Sequence, residues 1–215
     1  MKKILSVFVS AIVILLCVPD TVSAEYTMKS ASQAIEFYKS VMSNPSWAAS
    51  SRKDRGEKLQ LPDEWFENMT TSALVDAVVE YPYFFDVYLF DDIQMGADVL
   101  YKTFNGIREL ADRPDVATVL LRKYKAETVL TDVNTTEDVF RLTDIEILLS
   151  QDFVVEKLTD DEISELRRVA FYKYIGKRNS EVHSEYTANM FYNLNHNKIF
   201  PNILRFYDNW WEILV

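Results

Sequence analysis

The chain of 215 residues carries 33 acidic against 23 basic side chains, a formal charge of −10, with only four glycines and a single cysteine. That balance argues against nucleic acid and anionic lipid as partners, because both are held by clustered Lys and Arg. One cysteine excludes an intrachain disulfide, and scarce glycine argues against a fold of short strands and tight turns.

Met1, Lys2 and Lys3 open the chain, an apolar stretch runs from Ile4 to Val18, and Pro19 and Asp20 interrupt it before Val22, Ser23 and Ala24. A charged start, an apolar middle and small residues at the cut read as a secretory signal peptide over residues 1–24. The stretch of 15 residues is short of the roughly 20 that a helix needs to cross a bilayer, so no membrane span is expected. Cys17 follows Leu15 and Leu16, not the small residue that lipoprotein processing requires, and is read as part of the discarded peptide. Cleavage after Ala24 leaves a cysteine-free mature chain without disulfides or thiol chemistry, and the loss of Lys2, Lys3 and Asp20 takes its charge to −11. The expected location is the periplasm or the medium.

A first helix is expected over residues 30–42, with Ala34, Ile35, Tyr38, Val41 and Met42 on one side and Asn44-Pro45 as its end. The polar stretch 46–58 reads as a linker. Its basic cluster is interrupted by Asp54 and Glu57 and suits solvent better than a binding patch. The boundary near Leu59 then separates an N-terminal helix and linker, 25–58, from a helical domain, 59–215.

Pro62 opens a short helix to Met69, its missing N–H costing nothing in the first turn. Thr70 can cap the next, in which Leu74, Val75, Val78 and Val79 recur at helical spacing, and Tyr81-Pro82 breaks it. Residues 83–90 are apolar nearly all round and read as a fully buried helix or a strand, the helical neighbourhood favouring the helix. Asp91 or Asp92 starts a helix to Phe104, which Asn105-Gly106 stops or breaks in a left-handed turn. Pro114 opens another, with Val116, Val119, Leu120 and Tyr124 as its inner stripe, and further helices fit 136–150, 160–176, 185–195 and 201–214. The strongest start signal is Thr159 with Glu162, a capping box. The fold class is all-α, a compact multi-helix bundle or an irregular stack of helical hairpins.

Catalytic vocabulary is missing: no Gly-rich phosphate loop, no Gly-x-Ser-x-Gly elbow, no His-Glu-x-x-His and no calcium loop, so no cofactor or metal is expected. His183 and His196 lack the spacing of a metal pair on one helical face. Asp86 is the carboxylate to watch, since an ionised group within 83–90 is costly unless paired or facing a cleft. Paired with Asp91, Asp92 or Glu80 it would suit glycan hydrolysis; as a structural residue it would cap a neighbouring helix or meet Arg108 or Arg113. Tyr83 and Tyr88 beside it, and Trp210 and Trp211 in the tail, are candidate binding residues, because rings with polar handles also form platforms for ligands.

The block 59–124, with Leu61-Pro62, Met69-Thr70-Thr71, Tyr81-Pro82, Asp86, Phe104-Asn105-Gly106, Glu109-Leu110, Arg113 and Tyr124, resembles a group of exported bacterial helical proteins of unknown function. The resemblance implies export, a bacterial source and a helical domain. It implies no activity and marks no catalytic residue.

The leading expectation is a non-enzymatic helical module that binds a protein or peptide partner in a groove between helix pairs, its acidity favouring basic partners. A carboxylate-dependent glycan hydrolase is the alternative. An acidic inhibitor or immunity-type protein is the second alternative, with a face seeded by Asp160, Asp161, Glu162 and Glu165 that would have to be uniformly acidic.

Overall fold

A computed structural model describes residues 30–91, 93–127 and 135–179. The signal-peptide stretch, Asp92, both histidines, Trp210, Trp211 and the expected helices over 185–195 and 201–214 lie outside the described residues.

Short polar side chains start several helices. Ser30 caps α1 (Ala31–Ser43): its Oγ accepts from the Gln33 amide at 3.3 Å while the Gln33 side chain accepts from the Ser30 amide at 3.0 Å. Ser51 and Asp54 make the same reciprocal pair for α2 (Arg52–Lys58). The stretch expected as a linker is thus helical at its end. After the single turn α3 (Asp63–Phe66), which Pro62 precedes, Thr70 caps α4 (Thr71–Val79) through the Ala73 amide.

Residues Phe84–Leu89 form a 3-10 helix, followed by α5 (Ile93–Thr103), α6 (Asn105–Asp112) and α7 (Val116–Ala126). Thr135 with Asp138 caps α8 (Thr136–Leu149), α9 (Asp152–Val155) is one turn, and α10 (Asp160–Asn179) starts at the Thr159–Glu162 capping box. Among the described residues these are all helices, with no strand, and the fold is all-α.

Helix α4 is the centre of the packing and contacts α1, α6, α7 and α8. It can do so because Leu74, Val75, Ala77, Val78 and Val79 cover more than one side of a nine-residue helix, and all are buried. Each large aliphatic side chain buried this way contributes roughly 1.5–3 kcal/mol. The buried Tyr38 hydroxyl of α1 donates to the Ala77 carbonyl at 3.1 Å, tying the first helix to this centre. Val116, Val119, Leu120 and Tyr124 bury the inner face of α7 as their spacing requires.

Two local expectations are corrected. The helix does break here, α5 ending at Thr103, but Asn105-Gly106 makes no left-handed turn: it is the first turn of α6, and no described residue has positive φ. Tertiary bonds decide this: the Asn105 amide donates to Gln60 Oε1 at 2.8 Å, and its side chain exchanges bonds with the Leu61 carbonyl (2.7 Å) and amide (3.0 Å). Gly106 is needed because a Cβ there would lie 2.5 Å from the Phe104 ring, which stacks on Tyr81 with centroids 3.8 Å apart. The apolar stretch 83–90 is neither fully buried nor an α-helix: Phe85 is 52% and Leu89 70% exposed on a 3-10 segment.

Candidate functional site

A 3-10 helix has three residues per turn, so side chains three apart eclipse and six residues present three separate faces. Phe84 and Val87 share the face buried in the core. Tyr83, just before the helix, and Asp86 share the face towards α2, whereas Phe85 and Tyr88 share the one towards α8, where both rings pack edge-on against Phe140. The segment is held close to α5 at Gly96, where a Cβ would lie 2.5 Å from the Val87 carbonyl oxygen.

On the α2 side Arg52 and Tyr83 line a groove, with Trp47 packed against Tyr83. Trp47 stacks on Tyr83 at 6.3 Å, the Arg52 guanidinium lies over the Tyr83 ring 3.1 Å from its centroid, and Arg52 ion-pairs with Asp86. Arg55 holds the turn behind, donating to the Trp47 and Ala48 carbonyls at 3.0 and 2.9 Å. The groove, about 820 Å³, runs between α2 and α5, its floor formed by Tyr81, Val87 and Leu100 and its far wall by Phe90 and Val99. That volume lies within the roughly 300–1,000 Å³ of ordinary ligand sites. Gln60 fixes the distance between the walls, donating to the Thr103 carbonyl at 3.0 Å. Burial pushes the Tyr81 hydroxyl up to about 12, opposed by the Arg52 charge, so the floor is neutral at physiological pH.

On the α8 side the Tyr88 hydroxyl donates to Asp144 Oδ1 at 2.6 Å. Asp144 is 8% exposed. Burial, aided by the nearby Glu80 charge, pushes its carboxyl up to about 8 against the opposing pull of Tyr88 and Arg141, and burial holds Tyr88 far above the usual phenol value. Beside this pair Arg141 of α8 reaches Asp76 (3.0 Å), Glu127 (3.0 Å) and Glu80 (3.5 Å), and Lys123 of α7 reaches the same Asp76 at 2.7 Å. Three helices are cross-linked by partly buried charges that satisfy one another.

Of the residues singled out from the sequence, Tyr83 and Asp86 therefore meet at one groove, and Tyr88 points to the opposite side of the same segment. Asp86 meets Arg52, not Arg108 or Arg113: Arg113 pairs with Glu109 at 2.9 Å, and Arg108 donates to the Tyr101 and Lys102 carbonyls. Glu80, offered as a second acid for hydrolysis, is taken up by Arg141. Trp47, Arg52 and Asp144 were not anticipated. Asp144 had a readable signal, since Phe140 and Leu148 four residues to either side place it on an apolar stripe of α8. The face around Asp160, Asp161, Glu162 and Glu165 is mixed in sign, with Glu165 bridged to Lys125 at 2.6 Å and to Arg168 at 3.5 Å, which weighs against an acidic docking face there.

Among the described residues no group of three or more His, Cys, Asp or Glu is arranged to hold a metal ion, and no helix is long and apolar enough to cross a membrane. Comparison with protein-family models, with curated proteins and with solved structures returns no match for the chain.

Proposed function

We propose that this chain is an exported, non-enzymatic helical module that binds a peptide segment of a protein partner in the groove between α2 and α5. The observation that carries the reading is a concave site with an apolar floor beside which the one carboxylate of the 3-10 segment, Asp86, is already paired with Arg52. General acid and base catalysis needs a carboxylate free to exchange protons with a substrate, and Asp86 is committed to a guanidinium. Apolar side chains of a partner, by contrast, gain from covering Val87, Leu100 and Val99. Export rests on the N-terminal sequence and on the resemblance of block 59–124 to exported helical proteins.

The test is titration of the isotope-labelled protein with a mixed peptide pool, followed by amide chemical shifts. Shifts confined to Arg52, Val99 and Thr103 and their neighbours, and lost in Val99→Asp, are expected. A saturating pool that leaves those amides unmoved would overturn the reading, as would release of sugar from a cell-wall glycan that Asp86→Asn abolishes.

A further inference from the structure

Gly56 sits in the last turn of α2, on the groove wall, with nothing within 4 Å of where a Cβ would stand and without positive φ. Apart from proline, glycine is the poorest helix former, so the fold itself gains nothing from it there. Gly96 and Gly106 differ, since a backbone and a ring leave them no room for a side chain. What Gly56 leaves open is the space along the backbone of α2, inside the groove.

The charges along this groove oppose the sign of the whole chain. Arg52, Lys53 and Arg108 line it together with Glu57 and Asp86, three cations and two carboxylates in a protein of charge −10. Asp86 takes up Arg52, and Glu57 lies 3.8 Å from Lys53. Arg108 is exposed at the α6 end; it donates only through Nη1, to the Tyr101 and Lys102 carbonyls at 3.3 and 3.0 Å, and meets no carboxylate among the described residues. The remaining edge of its planar guanidinium is the shape that accepts a carboxylate through two parallel bonds.

Building on the peptide-binding reading, we infer that the partner segment is acidic and apolar in alternation. An apolar side chain covers Val87 and Leu100, the partner backbone passes close to Gly56, and a carboxylate docks on Arg108. The acidity of the whole chain suggested basic partners; the local charge of the groove selects the opposite.

The test uses the full chain and two fluorescein-labelled synthetic peptide pools read by anisotropy. Both pools alternate Leu, Phe, Tyr and Val with charged residues, Asp and Glu in one, Lys and Arg in the other. The acidic pool is expected to bind roughly ten- to hundredfold more tightly, the worth of one charge-assisted contact. Gly56→Trp fills the open space and abolishes that binding while the helical circular dichroism is kept, and Arg108→Glu reverses the preference between pools. Gly56→Ala raises the unfolding temperature by about 2 °C yet weakens binding. A basic pool that binds as well as the acidic one, and is still lost in Gly56→Trp, would overturn the acidic partner and leave a peptide-binding groove. No binding of either pool, or binding indifferent to Gly56→Trp, would remove the groove as a peptide site altogether.

Discussion

Replacing Asp144 by Asn isolates the buried carboxyl of α8. In the folded chain this group titrates near 8, against 3.8 for the ordinary carboxylate. Between those values the unfolded chain releases the proton and the folded chain keeps it. Stability is therefore fully present below pH 3.8 and is lost progressively until the pH passes 8. Each pH unit in that window costs somewhat more than about 1 kcal/mol, so wild type should lose roughly 4 kcal/mol from this group between pH 5 and pH 8. The Asp144→Asn amide oxygen still accepts from Tyr88, whereas the amide nitrogen brings a donor that costs about 1–3 kcal/mol if it finds no acceptor. The variant should consequently match or trail wild type at pH 4 and gain on it steadily up to pH 8. Urea unfolding followed by Trp fluorescence at intervals of pH measures this. All other titrating groups are shared, so the difference between the two proteins reports Asp144 together with its coupling to Glu80 and Arg141. A difference that does not change between pH 5 and pH 8 would refute the reasoning, because it would place the Asp144 carboxyl at its ordinary value in the fold.

Tyr38→Phe removes the buried hydroxyl that donates to Ala77 and strands that carbonyl; urea unfolding should show a loss of about 1 kcal/mol with an unchanged slope. Gly96→Ala places a methyl group 2.5 Å from the Val87 carbonyl oxygen, a backbone atom that cannot step aside alone. A loss of about 1–3 kcal/mol is expected by thermal unfolding, the opposite sign to Gly56→Ala. Thr159→Ala deletes the acceptor of the Glu162 amide and should cost about 1 kcal/mol by urea unfolding. Thr159 and Thr118 also hold the Glu162 carboxyl below its usual value, so part of this contribution is present at neutral pH and disappears as the pH falls through the lowered value.

What could be read from the sequence was local. Ser30, Thr70 and the Thr159–Glu162 box announce helix starts within four residues, and the stripes of α4 and α7 announce their buried faces at the same range. What could not be read depends on distant partners. Asn105-Gly106 has the local chemistry of a helix stop, and the bonds from Asn105 to Gln60 and Leu61 make it a start. Residues 83–90 have too many apolar side chains to reveal a period of three. Asp86 drew attention as a carboxylate in an apolar run, but its partner Arg52 stands in a stretch whose own composition suggests solvent. Its neighbour Gly56 looks like linker flexibility until α2 places it on a groove wall.

The shape of the groove follows from how the 3-10 segment is held. Hydrogen bonds of the 3-10 kind are poorer in geometry than those of an α-helix, so six residues of it need support from outside. Each of its three faces has such support: Arg52 on Asp86, the close approach of Gly96 to Val87, and Asp144 on Tyr88. Charged and polar contacts thus go to positioning the segment, and the carboxylate it turns to the groove, Asp86, is taken up by Arg52 beside the apolar Val87 and Phe90. A groove held open in this way loses little conformational freedom when it is filled, and pre-organisation of that kind favours binding over chemistry, for which a proton-exchanging group would have to be left unpaired.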